Sequence, residues 1–162
     1  MPDVILPTRE DTTSLASALE RMPGGFDCIL VGSGAGIRTV AAAFGARIVD
    51  ASGRDGAYAA VLCARTPVVC VMACDGRHDP RHLPVLAIPV LDGEADLALG
   101  VYGGAEDLRG DHVSMFAARR EPLLELAAAH ETGWLQAPAT HATQAGLRVC
   151  AFALDAVASG AL

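Results

Sequence analysis

The stretch VMACDGRHDPRHLPVLAIPVLDGEADLALGVY, Val71 to Tyr102, decides the fold. Its apolar start reads as the end of a buried strand, Val68 to Ala73. Cys74, Asp75 and Gly76 then form an acidic turn at that strand's carboxyl end. Asp79 before Pro80 has the pattern of a helix N-cap followed by proline in the first turn. A short apolar helix follows, and Ala95-Asp96-Leu97 opens a second buried strand ending at Tyr102.

Upstream, continuous apolar runs alternate with helical segments. Val4 to Leu6, Cys28 to Val31 and Ala46 to Val49 read as strands. Thr12 to Arg21, a segment following the Gly32 to Gly36 turn up to Phe44, and Gly56 to Ala64 read as helices. This is the pattern of a mostly parallel sheet with helices on both faces, an α/β fold. Downstream, Gly103 to Gly110 is a polar loop and Val113 to Ala117 a strand. Arg119 to Ala129 is an amphipathic helix, with the two arginines set to pair with Glu121 or Glu125. Gln136 to Ala145 is a helix and Leu147 to Leu154 a final strand.

The 162 residues fit a single domain, residues 1–162, and 52% hydrophobic content is ample for its core. A net charge of -7 disfavours nucleic acid and anionic membranes as partners. Every basic side chain other than histidine is arginine, which excludes lysine Schiff-base chemistry and a P-loop. Five cysteines without a Cys-x-x-Cys pattern read as free thiols, with Cys28, Cys63, Cys70 and Cys150 in apolar runs. With neither a signal-peptide pattern nor an apolar run of about 18 residues, the expectation is a cytoplasmic protein. A homo-oligomer stays open.

Ligands of open α/β sheets bind outside the carboxyl ends of the strands. That rule selects Thr8, Arg9 and Glu10, then Gly32 and Ser33, then Asp50, Ser52, Arg54 and Asp55, and then Cys74, Asp75, Arg77 and His78. Gly32-Ser-Gly-Ala-Gly36 lacks the spacing of a dinucleotide fingerprint and reads as a tight strand-to-helix turn. Asp75 and His78 share one turn and form the best acid–base pair, with Glu10 as a further carboxyl. Cys74 reads as an inert thiol, and a thiolate there would need Arg77 or His78 beside it. Tyr58, Tyr102 and Trp134 can wall an apolar pocket, although core packing explains Trp134 equally well. His82 reads as a surface residue; His112 and His141 are lesser candidates.

A set of motifs, in order along the chain, resembles the family 2 glycosyltransferases of the dolichol-phosphate-mannose-synthase type. They are Leu6 to Asp11, Gly56 to Ala60, Asp75 to Pro80, Gly93 to Gly100, Arg119 to Leu124, Gly133-Trp134 and Gly146 to Val149. The resemblance implies a GT-A fold. It also implies a nucleotide-sugar donor, held by a metal at an Asp-x-Asp pair and by an aspartate that reads the nucleobase. Here the first acid of the pair is Ala73, leaving Asp75. The nucleobase aspartate position is Gly32, and the second aspartate of that turn is Ile37. Tyr58 stands for a glycine, Val101 and Tyr102 for Arg-type positions, and Ala137 for a glutamate.

A lone carboxylate is a poor site for a hard divalent cation, so neither metal nor cofactor is expected. The substitutions make the donor cleft less charged. The resulting expectation is a cleft repurposed for a small, largely apolar metabolite in specialised metabolism, turned over without a metal by a cyclase-, isomerase- or lyase-type step. Asp75, His78 and Glu10 would be catalytic. Thr8, Arg9, Gly32, Ser33, Asp50, Tyr58, Cys74, Tyr102 and Trp134 would line the pocket. The alternatives are a minimal active glycosyltransferase using a nucleotide-sugar and a noncatalytic binding protein.

Overall fold

A computed structural model describes residues 2–8, 12–50, 53–74, 76–102, 115–129, 134–135 and 137–154. The strands are β1 (Asp3–Pro7), β2 (Asp27–Val31), β3 (Arg47–Val49), β4 (Val68–Met72), β5 (Leu97–Tyr102), β6 (Met115–Arg119) and β7 (Val149–Leu154). The helices are α1 (Thr12–Glu20), α2 (Ala35–Phe44), α3 (Gly53–Cys63), α4 (Leu83–Leu91), α5 (Arg120–Ala129) and α6 (Pro138–Gln144). A 3-10 turn at Pro80–His82 leads into α4.

The strands form one seven-stranded sheet in the order β3-β2-β1-β4-β6-β5-β7. β4 is its middle strand, and its five residues are all buried. The sheet is parallel except for β6, which runs antiparallel between β4 and β5 with Val68 opposite Arg119 and Met72 opposite Met115. The carboxyl ends of the other strands therefore share one rim.

Side chains alternate across a pleated strand, and two cores follow from that alternation. Val4, Leu6, Leu30, Cys70, Met72, Ala98 and Met115 point to one face, under α1, α2 and α4. Ile5, Ile29, Val69, Val71, Leu99 and Phe116 point to the other, under α3, α5 and α6. Helices on both faces explain why the middle strand, VVCVM, is apolar and buried throughout.

The arginines at the start of α5 have other partners than expected. Arg119 Nη1 donates to Asp96 Oδ1 at 3.3 Å, and Arg120 donates to the carbonyls of Val61 and Leu62. The antiparallel β5–β6 pair brings Asp96 to Arg119, and the end of α3 lies beside Arg120, so ready-made acceptors displace an exposed helical pair with Glu121 or Glu125. Cys63, placed in the core by its apolar run, is exposed at the last residue of α3. Cys28 and Cys70 are held by burial as thiols, both pushed up to about 12.

Candidate functional site

The carboxyl rim is built strand by strand. Thr8 follows β1, and its hydroxyl donates to the Val31 carbonyl at 2.7 Å, so the side chain crosses to the end of β2. There it meets Gly32. A Cβ added at Gly32 would overlap Thr8 Oγ1 and lie 2.8 Å from Ile37 Cδ1. Ile37 is itself buried in the core under α2. The place where the resemblance puts a nucleobase-reading acid is therefore filled by a threonine and an isoleucine.

Ser33 and Gly34 are exposed beyond this point, and α2 starts at Ala35 with Gly34 as a cap that makes no side-chain bond. Its first-turn N–H groups have no intrahelical partner and carry the positive end of the helix dipole. Asp50 is exposed at the end of β3. Gly32 and Asp50 thus share the rim with the end of β4, as the sequence predicts. Asp75, Glu10, Arg9 and His112 lie outside the described residues. Cys74 and Gly76, on either side of Asp75, do not: Cys74 is half-buried and packs against the core under α4.

The entry into α4 is firmly made. Asp79 accepts a bond from the Arg81 N–H at 3.0 Å and caps Pro80–His82. The same carboxylate takes the Arg81 guanidinium at 2.7 Å, and Arg21 of the α1 end stands 4.0 Å away. The side-chain bond from Arg81 is the main reason that its carboxyl sits below the usual range.

His78 is buried, and its ring meets Tyr102 edge-on at 4.6 Å. His82 is half-buried rather than a surface residue, with Nδ1 3.1 Å from the Tyr102 hydroxyl. Tyr102 also reaches Met115 Sδ at 3.6 Å. This His78–Tyr102–His82 group at the mouth of β5 was not foreseen as a unit. The signal that could have found it is the tyrosine at a position where the resemblance calls for an arginine, near two histidines.

The three aromatic candidates do not form one wall. Trp134 is 3% exposed in the core under α3, α5 and α6, and Tyr58 packs on that same face. Tyr102 packs against the core on the opposite face. Core packing therefore accounts for Trp134.

Comparison with known proteins agrees with this architecture. A protein from Mycobacterium tuberculosis described as an uncharacterized glycosyltransferase is 37% identical over 103 residues, covering 60% of this chain and 46% of its own length. A Mycobacterium bovis protein of the same description matches equally. The chain thus spans about half the length of the curated relatives it matches. No protein-family model matches.

Among solved structures, glucosyl-3-phosphoglycerate synthase from Mycobacterium tuberculosis bound to uridine diphosphate superposes with a TM-score of 0.72. The identity is 17%, over 98% of this chain and 71% of that one. Mannosyl-3-phosphoglycerate synthase from Rubrobacter xylanophilus gives 0.72 at 18% identity, over 96% of this chain and 66% of that one. A CMP-2-keto-3-deoxy-manno-octonic acid synthetase complexed with CTP gives 0.70 at 13%, over 96% and 90%. Such low identities speak for the fold alone. The chain has the GT-A fold, and over 103 residues it resembles proteins described as glycosyltransferases.

Proposed function

We propose that the chain binds a phosphate-linked sugar donor at the carboxyl rim and serves glycosyl transfer. The observation that supports this reading is the segment after the middle strand: Cys74 is half-buried against the core at the strand's end, and the Asp79 cap leads the chain into α4. The relatives described as glycosyltransferases support the same class.

The residues present do not fit the divalent metal that this fold family commonly uses. Ala73 brings no ligand oxygen, and a hard cation wants several. We therefore assign donor phosphates to the first turn of α2, beside Ser33 and Gly34, where backbone N–H groups and the helix dipole favour an anion. Asp75 is the carboxylate nearest the transferred sugar in this reading, with His78 as its partner in proton transfer and Glu10 as a second carboxyl. Thr8 and Ile37 leave no carboxylate to read a nucleobase, so donors with different bases should bind within about tenfold of one another.

The same filled position favours a second reading, a cleft recruited for a less charged metabolite, with or without turnover. One experiment separates the two. Purified protein is titrated with UDP-glucose and GDP-mannose, with Mn²⁺ or with EDTA, and sugar release is followed in wild type and Asp75→Asn. The primary reading expects donor binding that EDTA leaves intact and sugar release that Asp75→Asn lowers at least tenfold. Absence of binding to either donor sinks it. Micromolar Mn²⁺ binding abolished by Asp75→Asn would instead restore the metal-dependent mechanism.

A further inference from the structure

The opposite rim of the sheet, at the amino end of β4, carries a feature that glycosyl transfer does not use. A half-open groove of about 440 Å³ lies between the α3–β4 connection and the start of α5. Arg65, Thr66, Arg119, Arg120 and Glu121 line it. Three arginines and one glutamate thus line it, in a chain whose net charge is -7.

The three arginines are differently committed. Arg120 is fixed by its bonds to the Val61 and Leu62 carbonyls at 3.0 and 2.9 Å, which satisfy the carboxyl end of α3. Arg119 shares Asp96 with Arg148 and keeps a half-exposed side chain. Arg65 is exposed, and its guanidinium has no partner among the described residues. Its backbone N–H is nevertheless clamped to buried Asp3 Oδ2 at 2.6 Å, so the residue is anchored at its root. Thr66 is held alongside, its hydroxyl donating to the Val68 carbonyl at 2.8 Å and accepting from the Asp3 N–H at 2.9 Å. The ten-residue helix α5 begins in the groove, so its positive end adds to the same field.

We propose that this groove is a binding site for a phosphate group, separate from the candidate donor site. Guanidinium groups suit phosphate because they offer planar, charge-assisted donors, and two of the three are already held in place. Arg65 closes on the ligand as the mobile donor. Glu121 limits affinity by repulsion. The chemistry is shared by a soluble phosphate and by the headgroup of an anionic lipid, and the two sources are separable by experiment.

The test is an amide and arginine-side-chain NMR titration with inorganic phosphate at low ionic strength. A parallel sedimentation assay uses vesicles of phosphatidic acid against phosphatidylcholine. Saturable shifts are expected at Arg65, Thr66 and Arg120, with Asp50 unaffected and any response at Ser33, the candidate donor site, titrating independently of them. Arg65→Gln should weaken binding about tenfold, and Glu121→Gln should strengthen it two- to fivefold. Glu121→Gln gains function, so a folding defect cannot imitate it. Capture by phosphatidic acid vesicles alone would mark a lipid headgroup, and binding in solution a free phosphate. The proposal is overturned if phosphate binds at neither, if shifts cluster at Ser33 instead, or if Arg65→Gln binds like wild type.

Discussion

Gly32 shows how a single missing side chain reorganises its neighbours. Thr8 turns its hydroxyl onto the Val31 carbonyl, and Ile37 reaches across from α2 into the space left over. Restoring an acid there is therefore not a simple reversal. In Gly32→Asp the new Cβ meets two side chains, one of them the buried end of an isoleucine. We expect a loss of about 1–3 kcal/mol from overpacking. Pairing it with Ile37→Val, which removes the Cδ1 that the new Cβ would meet, should recover part of that loss, which a urea titration of the single and double variants would show. Equal midpoints for wild type and Gly32→Asp would mean that the position is roomier than its contacts indicate.

Asp96 ties three elements together. It stands before β5, takes Arg119 from β6, and accepts both the Arg148 N–H at 2.8 Å and the Arg148 guanidinium ahead of β7. The side-chain bond from Arg148 is the leading reason that its carboxyl falls to about 2. Because the folded value lies below the unfolded value of about 3.9, the stabilisation is complete above the unfolded value. It is lost as pH falls from there through about 2. Asp96→Asn should cost about 1–2 kcal/mol at neutral pH, the low end for charged hydrogen bonds, since both arginines are half-exposed and can return to water. Its loss of stability between pH 4 and 2 should be shallower than wild type by about one proton, read from urea midpoints across that window. Identical acid limbs would place the acid sensitivity elsewhere.

The same contacts mark what was legible in the chain. Asp79 and Pro80 could be read as a cap because the accepting carboxylate, the proline and the donating Arg81 N–H lie within three residues. The partners of Arg119 and Arg120 could not, because Asp96 is 23 positions away and the Val61 carbonyl 59. Only the assembled sheet brings them close. The strands were visible as apolar runs, yet their order was not, since nothing local says that β6 inserts between β4 and β5. In the site, the rim positions followed from the rule on strand ends. The side taken by Trp134 and the joining of His78, His82 and Tyr102 depend on which face of the sheet each residue reaches, and for Tyr102 a shift of one position along β5 would reverse that.

The arrangement of the sheet also bears on how the chain comes to be folded. β4 has no neighbour close in sequence: it pairs with β1, where Asp3 faces Val69, and with β6, where Val68 faces Arg119. No hairpin can nucleate it, and closing such long loops before any contact forms slows folding. Refolding by stopped-flow fluorescence of Trp134 should accordingly fall in the millisecond-to-second range of non-local topologies, and a microsecond phase carrying the full amplitude would contradict this. During synthesis the order has a sharper result. Once Met72 has emerged, β1 to β4 can assemble, but the free edge of β4 stays open until β6 is made some forty residues later. For that interval the most apolar strand of the protein, VVCVM, is an unpaired template. A ribosome pausing between Tyr102 and Met115 would thus expose a surface prone to pair with the next nascent chain on the same message.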